Sequence, residues 1–200
     1  MRENGMECYP VPKTKERWRR RTDSLHASAR RREGRMDKRY AVGMYGGKFL
    51  PYHKGHFYCL ETASNMCGKV WQILTAGGVE EEAFLRNASP EDRALLSPEA
   101  RFRRMEAAGQ RLGNVETILL DISRCRTPDG REDWDAETPL ILERCGKFDA
   151  VFGSEPSYAA YFSRAYPWAD YILVDPLRKH YPISGTAIRN EKEAADRWIV

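Results

Sequence analysis

Two of the chain's four histidines stand three residues apart in GGKFLPYHKGHFY, residues 46–58, directly after a pair of glycines. His53 and His56, at i and i+3 on the first turn of a helix, can point to one side. Gly46 and Gly47 let the backbone come close to a ligand, and Gly55 does the same between the histidines. A helix N-terminus draws anions through its free N–H groups and its dipole. Two imidazoles above such a site suit a phosphate that gains charge during a reaction. The stretch is not a Walker A loop, because no G-K-[ST] follows. Taken alone, a histidine in a glycine-rich loop is more often a surface or capping residue. A lone H-x-x-H is also half of a metal site.

A second group lies in ISGTAIR, residues 183–189. Ser184 and Thr186 begin a helix, where hydroxyls and free N–H groups can hold phosphate oxygens. Arg189 adds a planar cationic fork that matches phosphate. By itself this segment also reads as an ordinary capped helix with a surface arginine.

These residues need elements to hold them. AVGMYG (41–46) reads as a buried strand ending in a tight turn. The next stretch, 53–67, carries Phe57, Leu60, Ala63 and Met66 at helical spacing, with Gly68 as a C′ glycine. KVWQILTAGG (69–78) is a second strand. Ser97, Pro98 and Glu99 open a helix over 97–113 as N-cap, N1 and first turn. VETILLD (115–121), FDAVFG (148–153) and DYILVD (170–175) are three further strands. Helices fall near 134–145, near 156–165 and from 184. This alternation implies a parallel sheet with helices on both faces. The spans 78–96 and 121–133 read as two long loops after strand C-termini, where open α/β sheets bind ligands.

Composition narrows the class further. Of the 200 residues, 42% are hydrophobic and 31% charged, ordinary for a folded domain. No apolar run approaches the roughly 20 residues that span a bilayer. The five cysteines, Cys8, Cys59, Cys67, Cys125 and Cys145, form no C-x-x-C pair. They fit reduced thiols in a cytoplasmic protein. Residues 1–35 hold eleven basic and five acidic residues, against 22 basic and 24 acidic in 36–200. The basic character thus belongs to the leader. Residues 1–37 read as disordered, and 38–200 as the folded domain. An arm for nucleic acid, an organelle-targeting segment, or an extension ahead of a start at Met36 are the readings open for the leader.

The pattern G-x-F-x-P-x-H-x-G-H, from Gly47 to His56, resembles the H-x-G-H signature of the nucleotidyltransferase superfamily. That resemblance implies a second signature, I-S-x-T-x-x-R, and ISGTAIR supplies it. Between them, VFGSEPSYAAYF (151–162), VDPLRKHYPISGTAIR (174–189), LSPEARFRRM (96–105), TPDGREDW (127–134) and Trp198 look like the NadR type of nicotinamide mononucleotide (NMN) adenylyltransferase. The resemblance covers about 40–198. It implies a Rossmann-like, doubly wound parallel sheet of five strands in the order 3-2-1-4-5.

The resemblance also implies roles. Lys48, His53, His56 and Arg189 would be catalytic. Gly46, Gly47, Phe49, Gly55, Phe152, Gly153, Ser154, Tyr181, Ser184 and Thr186 would line the nucleotide site. Arg101, Asp121, Arg131 and Trp134 would hold the acceptor. Arg131 follows the P-x-G, where family members often carry tryptophan; Trp134 stands three residues on. The reaction implied is ATP plus NMN giving NAD and pyrophosphate, with Mg²⁺ held by the ATP phosphates and no protein metal site. Nicotinate mononucleotide and phosphopantetheine are the other acceptors within the superfamily. A non-catalytic nucleotide sensor and a nucleic-acid-binding protein are the readings from other classes. These 200 residues hold no P-loop, so the kinase activity of longer NadR-type proteins is not implied.

Overall fold

A computed structural model of the chain describes residues 38–190 and 197–200. The leader, Cys8 and the possible start at Met36 lie outside the described residues. Five strands form one parallel sheet: β1 (Tyr40–Gly47), β2 (Cys67–Ala76), β3 (Val115–Asp121), β4 (Ala150–Gly153) and β5 (Asp170–Leu173). Their order is β3-β2-β1-β4-β5, as the sequence implied. The helices are α1 (Lys54–Met66), α2 (Val79–Asn87), α3 (Pro90–Leu96), α4 (Pro98–Gln110), α5 (Trp134–Cys145), α6 (Ala159–Ala165) and α7 (Gly185–Asn190), with a 3-10 turn at Pro156–Tyr158 before α6.

Strand alternation divides the core between the two faces. Tyr45, Leu74 and Phe152 pack with Cys59 and Leu60 of α1 and Met105 of α4. Their neighbours Met44, Ile73 and Val151 face the other way, against Ile141 and Cys145 of α5 and Tyr166 beyond α6. Helices on both sides bury most of β1, β2 and β4, which are accordingly rich in apolar residues. Gln72 is the most deeply buried polar residue of β2. Its amide donates to the Tyr52 hydroxyl at 3.0 Å and its carbonyl accepts from Thr117 at 3.0 Å. Cys59, Cys67, Cys125 and Cys145 are free and buried. No described helix is long and apolar enough to cross a membrane.

Two readings are corrected. The span 78–96 is not a loop but carries α2 and α3. Ser89 caps α3, accepting from Asp92 N at 3.1 Å, with Pro90 at N1. This is the same Ser-Pro-acid start that marks α4, where Ser97 accepts from Ala100 N at 3.2 Å. Gly68 is no C′ glycine either. The chain turns extended at Cys67 and runs straight into β2, with Gly68 as its second residue.

Candidate active site

In the order 3-2-1-4-5 the chain reverses direction across the sheet between β1 and β4, and ligands of open α/β sheets bind beyond that point. A cleft of about 410 Å³ lies there. Its floor is the ends of β1 and β4, with Gly46, Gly47, Phe152, Gly153 and Ser154.

His53 is the N-cap of α1, with extended backbone. Its Nδ1 accepts from Gly55 N at 3.1 Å, and its own N donates to His56 Nδ1 at 3.3 Å. The pair forms a reciprocal cap in which imidazoles replace the usual hydroxyl and carboxylate. The rings stack at 3.6 Å between centroids. Because each Nδ1 accepts a backbone N–H, each neutral ring carries its proton on Nε2. Capping therefore occupies only the Nδ1 of each ring. His53 is only 3% exposed, so it does not sit in an open cleft. Its Nε2 finds no partner among the described residues and borders the cleft. A Cβ on Gly55 would stand 3.1 Å from the His53 ring, so a side chain there would push the ring aside.

Burial, reinforced by Arg178, brings the His53 imidazole down to about 4. Burial, His53 and Arg178 hold His56 well below the ordinary range, with the Pro51 carbonyl opposing them. Both rings are neutral donors at neutral pH. Opposite them, Lys48 bonds Glu80 and Glu132 at 2.8 Å each. Burial works against its charge, and the two carboxylates more than offset that. Glu137 is pushed up to about 7, mainly by burial and then by Glu132.

These shifts oppose each other in stability. Above pH 6.5 His53 is neutral folded and unfolded; below it the unfolded chain takes up protons that the folded ring refuses until about pH 4. Acid therefore destabilises the fold across that window. Glu137 contributes fully below its ordinary 4.5, and its contribution is lost as pH rises through about 7. Melting curves across these pH values should show Glu137→Gln gaining stability relative to the native chain as pH rises from 4.5 to about 7, and holding that gain above it. An unchanged difference at every pH would contradict the assignment.

Of the residues singled out in the sequence, Gly46, Gly47, Lys48, Phe49, His53, Gly55, His56, Trp134, Phe152, Gly153, Ser154 and Tyr181 line the cleft. Others do not. Arg101, read as an acceptor residue, is 0% exposed and engaged by Glu81, Leu96 O and Lys48 O. It braces the loop that carries Lys48. Arg131 pairs with Asp129 at an exposed tip, and Asp121 accepts from Ser123 N. Ser184 caps α7 by accepting from Ala187 N, while Arg189 donates to Thr186 and to Leu50 O. Arg189 thus clasps α7 to the 48–52 loop. Gly185 permits that contact, because a Cβ there would meet Leu50 O at 2.6 Å.

The cleft also contains residues not singled out in the sequence. Arg178 enters from a turn in which Asp175 accepts from Lys179 N, His180 N and Tyr181 N. It pairs with Glu155 and donates to Ile183 O at 2.7 Å. The Asp175–Pro176 turn signal ahead of ISGTAIR was the available clue. Tyr158, Tyr161, Glu132 and Glu137 complete the wall around Trp134. Only the fold brings these together.

No family model matches the chain. Among solved structures it is similar to the NadR protein in complex with NAD and AMP-PNP, with a TM-score of 0.55 and 20% identity over 80% of this chain and 44% of that one. It is similar to the NadR protein in complex with NR, with a TM-score of 0.56, 21% identity, and 80% and 43% of the two chains covered. The bifunctional NMN adenylyltransferase/ADP ribose pyrophosphatase of Francisella tularensis, complexed with AMP and Mn ion, gives a TM-score of 0.51 at 22% identity over 76% and 41%. The chain spans less than half the length of each. The likeness shows the fold: the Rossmann-like architecture of these nucleotidyltransferases.

Proposed function

We propose that residues 38–200 transfer the adenylyl group of ATP to nicotinamide mononucleotide, giving NAD and pyrophosphate. The observation that carries this reading is the stacked histidine cap at the switch point of the sheet, with the unpartnered Nε2 of His53 at the cleft. The ligands of the similar structures, NAD, AMP-PNP, NR and AMP, are nucleotides or a nucleoside of this chemistry.

An oxygen of the NMN 5′-phosphate attacks the α-phosphorus of ATP. The bond to the bridging oxygen breaks, and pyrophosphate leaves with that electron pair. A phosphate monoester is largely ionised at neutral pH, so the protein needs no general base. Its task is to hold two anions in line and to meet charge on the α-phosphate. His53 and His56 offer neutral Nε2 donors, and the N-terminus of α1 adds its dipole. Lys48 and Arg178 are the cations lining the cleft. Each is paired with carboxylates that the incoming phosphates would displace. A divalent cation, Mg²⁺ in this proposal, fits on the ATP phosphates with water completing its shell. Among the described residues no group of three or more His, Cys, Asp or Glu could hold a metal ion.

Purified protein incubated with ATP, Mg²⁺ and a panel of phosphorylated acceptors should release pyrophosphate with NMN and form NAD. Pyrophosphate with phosphopantetheine and none with NMN would move the acceptor while keeping the reaction. No release with any acceptor would overturn the reading.

A further inference from the structure

The acceptor wall of the cleft is acidic as well as aromatic. Helix α5 presents Trp134, Glu137 and Ile141 to it, at spacings of three and four residues. Tyr158 and Tyr161 meet Trp134 edge-on, each 5.1 Å away. The Tyr161 hydroxyl also donates to Trp134 O at 2.5 Å and bonds Thr138 at 2.8 Å, which fixes the platform. Glu137, one turn on from Trp134, is 9% exposed and its Oε1 has no hydrogen-bond partner among the described residues. A buried carboxylate oxygen without a partner is costly unless a ligand or water meets it.

We propose that Glu137 selects the acceptor: its carboxylate accepts an N–H of a neutral carboxamide on a cationic pyridine ring held at Trp134, and so excludes the ring that carries a carboxylate. This rests on the adenylyl-transfer reading above and adds to it the group that tells the two acceptors apart. The groups facing Glu137 from neighbouring elements are Glu132, Asp133, Lys48, Cys125, Tyr161 and Tyr166. Lys48 is the one cation among them, and Glu80 and Glu132 already hold it. A cationic ring bearing an amide complements this field. A carboxylate on the ring meets like charge from Glu132, Asp133 and Glu137.

Sites built around one N–H of a substrate reject analogues lacking it by as much as about 10⁴–10⁵. Glutamine at 137 keeps the shape, still accepts from an amide through its oxygen, and adds a donor that a carboxylate can use. The test measures kcat/KM for NMN and for nicotinate mononucleotide, at saturating MgATP, in the native protein and in Glu137→Gln. The native ratio should favour NMN by at least about 10², and the variant should cut that ratio tenfold or more, chiefly by gaining nicotinate mononucleotide. The native preference should also grow as pH rises through about 7, where Glu137 ionises, and the variant's should not. Glu137→Met supplies a second arm: it should raise KM for NMN at unchanged KM for ATP. Transfer to NMN with the same ratio in native and Glu137→Gln protein overturns the selection by Glu137 and leaves adenylyl transfer standing. Transfer to neither mononucleotide overturns the reading on which it rests.

Discussion

Alanine at His56 should lower kcat for adenylyl transfer by about 10²–10³, the usual loss for one preorganised donor to a developing oxyanion. Its Nδ1 is engaged by His53 N, and its surroundings keep the ring uncharged. An uncharged ring needs no protonation step, and the acid limb of a pH–rate profile should not carry a histidine value near 6.5. Ground-state affinity for ATP should change much less, because Lys48, Arg178 and the N-terminus of α1 remain. His53→Ala should behave differently. It removes the helix cap, worth about 1 kcal/mol, as well as a donor, so activity and melting temperature fall together. The double variant should fall short of the sum, since the stacked rings serve one phosphate. Steady-state kinetics with parallel thermal melts separate these outcomes. Near-native kcat in His56→Ala would remove the histidine pair from the chemistry.

Arg101→Ala should be the most destabilising single change outside the apolar core. Arg101 is wholly buried, and its partner Glu81 is 2% exposed. Removing one member leaves a buried charge unpaired, a loss of about 3–5 kcal/mol. The guanidinium also donates to Leu96 O and Lys48 O, while Glu81 accepts from Gly77 N at 3.1 Å. Three segments thus lose a common brace. Arg101→Lys should recover little, because one ammonium cannot reproduce a planar fork of donors. Arg101→Met with Glu81→Leu should recover most of the stability, since the pair is replaced by apolar volume. It should not restore activity in proportion, because Lys48 stays unbraced. Denaturant unfolding gives the first quantity and turnover the second. A loss below about 1 kcal/mol for Arg101→Ala would show that the site relaxes or admits water.

Most of the architecture was legible because its signals are local. The glycine-terminated apolar run of β1, the Ser97-Pro98-Glu99 start of α4 and the strand–helix alternation each follow from a few adjacent residues. The first signature, Gly47 to His56, marked the cleft for the same reason. What stayed hidden depends on partners distant in sequence. Arg101 reads as an acceptor residue by resemblance, and only the fold, in which α2 places Glu81 against it, shows it as a buried brace. Glu137 sits in DAETPLIL, a segment with no chemical signature, and becomes a site residue only because α5 turns that face inward. The caps of α3 were legible and were overlooked, because the span lies in a charged stretch without apolar periodicity. Arg189 shows the converse. Its motif pointed at phosphate, whereas the structure has it gripping Leu50 O.

That grip joins positions 139 residues apart. Ile199 bridges to His53, and Val200 packs against the cluster beneath α1. During synthesis the histidine loop therefore leaves the ribosome long before the residues that fasten it. At about 5–20 residues per second, that delay is several seconds at least. A growing chain can pair β1 with β2 and β2 with β3 in that interval, but its histidine loop waits unsecured for Arg189, Ile199 and Val200. The cleft is assembled back to front: histidines made early are fastened by residues made more than a hundred positions later.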